Sequence, residues 1–160
     1  MTEGHLGADA KALELGLDLS GAAAPLANYV PFVRSGNLLM ISGQLPLSGG
    51  AVAPAHKGKL GREVSAEQGT AAARLSAVNV LAQVRAALGS LDQVRRVVRL
   101  GGFINAAPGF TALAPAMNGA SDLMVEVFGD AGRHARTTVG VAELPMDAVI
   151  EVEAMFEVNG

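Results

Sequence analysis

The 160-residue chain predicts an α+β fold, a mixed β-sheet with two helices on one face. Three observations lead there. Apolar runs and helical stripes follow in the order strand, strand, helix, strand, helix, strand, strand. Two segments, Ser65 to Leu88 and Leu113 to Val127, carry apolar residues at three- and four-residue spacing. The last strand alternates cleanly, with Ile150, Val152, Ala154, Phe156 and Val158 on one face and Glu151, Glu153, Met155 and Glu157 on the other.

Residues 1–25 read as an N-terminal helical extension and 26–160 as a single α+β domain. In the extension, Lys11 to Leu17 is a short Ala/Leu helix ended by Gly16 and by Ser20-Gly21, and Pro25 prevents its continuation. From Tyr29 to Ser42, two apolar runs flank Ser35-Gly36-Asn37, the composition of a β-hairpin turn. Ser48 to Gly61 is rich in Gly, Ala and Pro and has no period, which predicts an exposed loop.

Ser65 and Gln68 form a capping box. Ala73, Ala77, Val80, Val84 and Leu88 then make an apolar stripe opposite Ser76, Asn79 and Gln83, and Gly89 ends the helix. Val94 to Asn105 is β-rich but carries Arg95, Arg96, Arg99 and the Gly101-Gly102 pair, so it reads as a strand with a bulge. Leu113, Met117, Ala120, Met124 and Val127 form the second stripe, with Pro115 tolerated in its first turn and Gly129 as its stop. Thr137 to Ala142 and Val149 to Val158, joined by Leu144-Pro145-Met146-Asp147, read as a second antiparallel pair.

Composition narrows the chemistry. Half of the chain is apolar and 17% charged, far from a disordered composition, and a net charge of −3 makes nucleic acid a poor partner. The absence of Cys excludes disulfides, thiolate metal sites and a Cys nucleophile, and three scattered His do not predict a metal site. No apolar run reaches the length of a membrane span and no signal-like start is seen, so a soluble, cytoplasmic protein is expected. With 29 Ala, no Trp and one Tyr, the core must form from small side chains at close approach. Two helices cannot cover both faces of the sheet, so copies of the sheet are expected to cover each other.

Glycine pairs lack phosphate-loop or dinucleotide spacing, and Ser42-Gly43 lacks the preceding Gly of a nucleophile elbow. Arg95, Arg96 and Arg99 read as a solvated face. Arg133-His134-Ala135-Arg136-Thr137 is a polar, donating segment that runs straight into an apolar strand. An Arg at such a strand start is a fork for a substrate carboxylate, or else an ion pair across strands or subunits to Glu151 or Glu153. Those two Glu read as an exposed strand face or as a general base beside a bound anion.

Taken together, three segments resemble the RidA (YjgF) family of enamine/imine deaminases. Asn37 to Pro46, ending Ser42-Gly43-Gln44-Leu45-Pro46, resembles the family's second-strand signature. His134-Ala135-Arg136-Thr137-Thr138-Val139 resembles its Ala-Arg-Ser/Thr segment, and Leu144-Pro145 followed by Ile150-Glu151-Val152-Glu153-Ala154 resembles its closing strand. The resemblance runs from about Tyr29 to Val158. It implies a chorismate-mutase-like protomer, a homotrimer with sites between subunits, no cofactor or metal, and hydrolysis of 2-enamino/2-imino acids to 2-oxo acids and ammonia. It also implies Arg136 as the carboxylate grip, Glu151 as the partner of water, and Tyr29, Ser42, Asn118 and Thr138 as pocket residues. Thr138 stands where many members have Cys. The loop from Ser48 to Gly61 and the stretch from Phe110 to Asp130 also depart, which marks a divergent subgroup. The alternative is a non-catalytic protein, a sensor or carrier, that holds a small carboxylate in the same cleft.

Overall fold

The computed structural model describes residues 6–160. The first helix, α1 (Ala8–Glu14), ends at Gly16, whose φ of 70° suits only a residue without Cβ. It is fastened to the domain: Ala12 is buried, and the Asp9 carboxylate accepts from Ser90 Oγ at 2.5 Å and from the Leu91 amide at 3.1 Å.

Strands β1 (Phe32–Ser35) and β2 (Leu38–Gln44) form the expected antiparallel hairpin, turning on Gly36 and Asn37. The predicted loop after it is more ordered than its composition implied. Strands β3 (Leu47–Ser48) and β4 (Ala51–Val52) make a miniature hairpin, and Val52 and Leu60 are buried.

Helix α2 (Ala66–Leu88) starts at Ser65, whose side chain and that of Gln68 satisfy each other's backbone amides, and stops at Gly89 in the left-handed region. Its polar stripe does not face water. Ser76 and Gln83 are fully buried and Asn79 is half-buried, because the N-terminal segment and the chain around Leu45 lie over them.

Strand β5 (Val94–Asn105) is irregular as expected, with register shifts between Val94 and Arg96 and between Val97 and Arg99. Helix α3 (Ala114–Phe128) follows, with Met117, Ala120 and Met124 fully buried and Pro115 in its first turn. It crosses to β6 (Ala135–Val141), and β7 (Ile150–Val158) ends the fold. The sheet order is β1-β2-β7-β5-β6, with β5 and β6 parallel and the other neighbours antiparallel.

The order corrects one expectation: β6 and β7 do not pair, because β5 lies between them. Strand β7 buries every second residue from Ile150 to Val158 and takes the centre, where both of its edges are paired. Strand β6, with exposed Val139 and Gly140, takes an edge.

Helices α2 and α3 cover one sheet face and touch each other through small residues. A Cβ on Gly119 would overlap the Thr70 carbonyl oxygen and lie 3.0 Å from its carbon. The opposite face is open in the chain: Val33, Leu38 and Val139 are exposed there beside Met40 and Met155, which face each other in register. No described helix is long and apolar enough to cross a membrane.

Candidate functional site

The strand register divides the candidate residues between two places. Arg136 pairs with Leu100 and Leu100 with Ala154, so Arg136 lies on the helix-covered side at the edge of the sheet. Thr138 is on the same side, opposite Gly102. Glu151 pairs with Phe103, which pairs with Val139, and therefore projects from the open face. Within one chain Arg136 and Glu151 cannot meet, and the ion pair across strands considered from the sequence is not made. Glu153 pairs instead with Arg99 at 3.1 Å.

The first place is built by β6 and α3. Arg136 Nη1 donates to Asn118 Oδ1 at 2.8 Å and to Ser121 Oγ at 3.2 Å, and Nη2 donates to the Ala114 carbonyl at 3.3 Å. Asn118 and Ser121 are three residues apart, hence on one helix face. A guanidinium has five N–H donors. Three are engaged by α3, and among the described residues Nε–H and one Nη2–H have no protein partner. Those two groups are what a carboxylate would use. The Thr138 hydroxyl is buried without a hydrogen-bond partner among the described residues.

The second place is a cavity of about 310 Å³ lined by Ala23, Pro25, Leu26, Leu45 and Leu47, with Tyr29, Pro145 and Glu151 also contributing. Its walls are held from helix α2. Gln83 Nε2 donates to the Ala23 carbonyl at 2.7 Å, and Asn79 Nδ2 donates to the Leu45 and Leu47 carbonyls at 2.9 and 3.1 Å. The two amides that stand opposite the apolar stripe therefore shape the cleft. Their signal was faint, because a periodicity argument cannot see a carbonyl contributed by another part of the chain.

Ser42 gives its hydroxyl to the Val30 carbonyl at 2.7 Å and so braces the segment that carries Tyr29. Tyr29 is 48% exposed at the cavity. Glu151 sits against Gly43, and half-burial, followed by the charge of Glu153, pushes its carboxyl above the usual glutamate range. Proton uptake is thereby made easier at a group facing an apolar cavity. The three arginines read as a solvated face are exposed, with Arg95 near Glu157 and Arg99 on Glu153. Among the described residues no group of three or more His, Asp or Glu could hold a metal ion.

Sequence reasoning gave no role to His134 or Ser121. The structure joins them, His134 Nε2 lying 2.9 Å from Ser121 Oγ and Nδ1 2.6 Å from the Gly132 carbonyl. The signal available was the two-residue spacing of His134 and Arg136 beside the three-residue spacing of Asn118 and Ser121.

Known proteins share this arrangement of elements. Protein TCP17 of Trypanosoma cruzi is 50% identical over 148 residues, which cover 91% of this chain and 90% of that protein. The crystal structure of Atu1372 from Agrobacterium tumefaciens superposes with a TM-score of 0.85 at 45% identity, covering 95% of this chain and 92% of that one. E. coli TdcF, solved with bound serine, gives a TM-score of 0.62 at 26% identity over 89% of this chain and 96% of its own. Residues 9–158 match the family described as "YjgF/chorismate_mutase-like, putative endoribonuclease". With residues 9–158 matched, from the first helix to the closing strand, this protein belongs to the YjgF/RidA family.

Proposed function

We propose that this protein hydrolyses reactive 2-enamino/2-imino acids to 2-oxo acids and ammonia, in clefts between the subunits of a homotrimer. The observation that carries the reading is the division of the candidate residues. Arg136, Asn118 and Thr138 form one half-site at a sheet edge, and Glu151 and Tyr29 form another on the open face. Two such halves make one complete site only when they come from different copies, and the uncovered sheet face, where Val33, Leu38 and Val139 are exposed among charged residues, is where copies would meet. The serine in the TdcF crystal is a small α-amino acid, in keeping with a carboxylate-gripping site.

In the reaction, the two remaining donors of Arg136 hold the substrate carboxylate and fix the C=N carbon in place. Glu151 accepts a proton from the water that attacks this carbon, a role worth roughly 10²–10⁴-fold. Glu151 returns that proton to the nitrogen, and the tetrahedral intermediate, passing its hydroxyl proton to the same nitrogen, expels ammonia and leaves the 2-oxo acid. The family description includes endoribonuclease, but Arg95 and Arg99 face acidic partners and the chain carries net charge −3, which favours a small anion over RNA. The carboxylate-binding reading draws on the Arg136 half-site, whose donors are already set within a single chain.

The test is the release of pyruvate and ammonia from 2-aminoacrylate made by a separate lyase, with wild type, Arg136→Ala and Glu151→Ala compared at matched oligomer concentration. Acceleration that both substitutions abolish is expected. Wild type with no effect over the uncatalysed background, also with slower branched imino acids, would leave the sensor or carrier as the function.

A further inference from the structure

Behind the Arg136 fork lies a chain of polar groups that the reaction above does not use. Its donor directions follow from valence. The Gly132 carbonyl only accepts, so His134 Nδ1, 2.6 Å away, carries the ring proton. In the neutral ring Nε2 is then an acceptor, and the Ser121 hydroxyl 2.9 Å from it must donate. A guanidinium only donates, so Ser121 Oγ accepts from Arg136 Nη1 at 3.2 Å. With the ring neutral, the hydrogen bonds thus run in one direction, from Arg136 Nη1 through Ser121 and His134 to the backbone carbonyl of Gly132.

We propose that Ser121 and His134 are positioning residues for the carboxylate grip, holding the Arg136 guanidinium in the orientation that leaves its two remaining donors available. The proposal rests on Arg136 being the grip. Without Ser121, the guanidinium keeps the exposed amide of Asn118 and a longer contact to the Ala114 carbonyl, 3.3 Å. A long, flexible Arg side chain loses rotamer entropy on binding an anion. A serine that itself is locked by His134 removes part of that loss before the ligand arrives. His134 is anchored in turn by the turn that begins β6, so the backbone leading into the strand and the side chain it presents are set together.

The experiment titrates pyruvate and 4-methyl-2-oxopentanoate, 2-oxo acids of the product class, into the full-length protein by calorimetry. Wild type, Ser121→Ala, Ser121→Thr, His134→Leu and Arg136→Ala are compared, with unfolding curves and oligomer mass recorded for each. Losing one hydrogen bond to the grip predicts affinity roughly three- to tenfold weaker for Ser121→Ala and His134→Leu. Ser121→Thr, which keeps the hydroxyl, should return to within about twofold of wild type. In turnover assays the same loss should appear as a higher KM with kcat nearly unchanged. Wild-type affinity in a folded Ser121→Ala, while Arg136→Ala no longer binds, overturns the positioning role and leaves the grip standing. Unchanged affinity in Arg136→Ala removes the grip, and the positioning role falls with it.

Discussion

Gly43 offers a way to move the Glu151 carboxyl without altering its chemistry. A Cβ built on Gly43 overlaps Glu151 Oε1 and lies 2.8 Å from Cδ and 3.0 Å from Cγ. Ordinary contact between carbons is 3.5–4.0 Å, so Gly43→Ala requires the carboxyl to shift by about 1 Å. The backbone accepts the change, since Gly43 is not among the residues with positive φ. A catalytic group misplaced by about 1 Å costs on the order of 10² in rate. The expected kcat/KM of Gly43→Ala is therefore about a hundredfold below wild type, with the oligomer and the affinity for a 2-oxo acid kept. The assay is lyase-coupled imine hydrolysis, run on Gly43→Ala, Glu151→Gln and the double variant. If Gly43 acts through Glu151, the double variant should be no slower than Glu151→Gln alone. Activity of Gly43→Ala within twofold of wild type, or a double variant that falls well below both singles, would refute the assignment of Glu151 as the partner of water.

Further outcomes are expected. Because burial and Glu153 raise the Glu151 carboxyl, activity should rise with pH along a limb above the ordinary glutamate value of about 4.3, and Glu151→Gln should abolish that limb. The same shift sets the sign for stability: the protonated form favours the folded state, a contribution present below the unfolded-state pKa and lost as pH rises through the folded one. Glu151→Gln should then be more stable than wild type at neutral pH, with the difference vanishing in acid, which denaturant titrations at both pH values would check. Gly119→Ala drives a methyl into the Thr70 carbonyl between α2 and α3 and should cost about 1–3 kcal/mol, a fall in Tm of about 3–10 °C by calorimetry. The apolar cavity lined by Leu26, Leu45 and Leu47 should favour imino acids with branched or aromatic side chains over the alanine-derived one, measured as relative kcat/KM with an amino-acid oxidase as the source.

Helix α2 shows what a single sequence can and cannot convey. Its ends were legible because a capping box and a C-terminal Gly act within a few residues of each other. Its surroundings were not, since Gln83 bonds a carbonyl 60 positions away and Asn79 bonds carbonyls 34 and 32 positions away. The pairing of β6 with β7 failed for a related reason. Turn composition between two strands is local, whereas the place of β7 between β2 and β5 is decided by burial over the whole sheet. That misplacement mattered for the site, because an inter-strand ion pair needs Arg136 and Glu151 on one face, and the register puts them on opposite ones. Arg136 and Glu151 were singled out by motif, while Ser121 and His134 became visible only when α3 was laid against β6.

Opposite-face placement of Arg136 and Glu151 also changes how damage to the protein is inherited by its assembly. In the proposed trimer, one subunit lacking the grip and a neighbour lacking the base still make an intact cleft where their sound halves face each other. Inactive Arg136→Ala and inactive Glu151→Gln chains, unfolded and refolded together in equal amounts, should thus regain about a quarter of the wild-type sites by random mixing. Two alleles, each silent alone, would then complement one another inside a single oligomer.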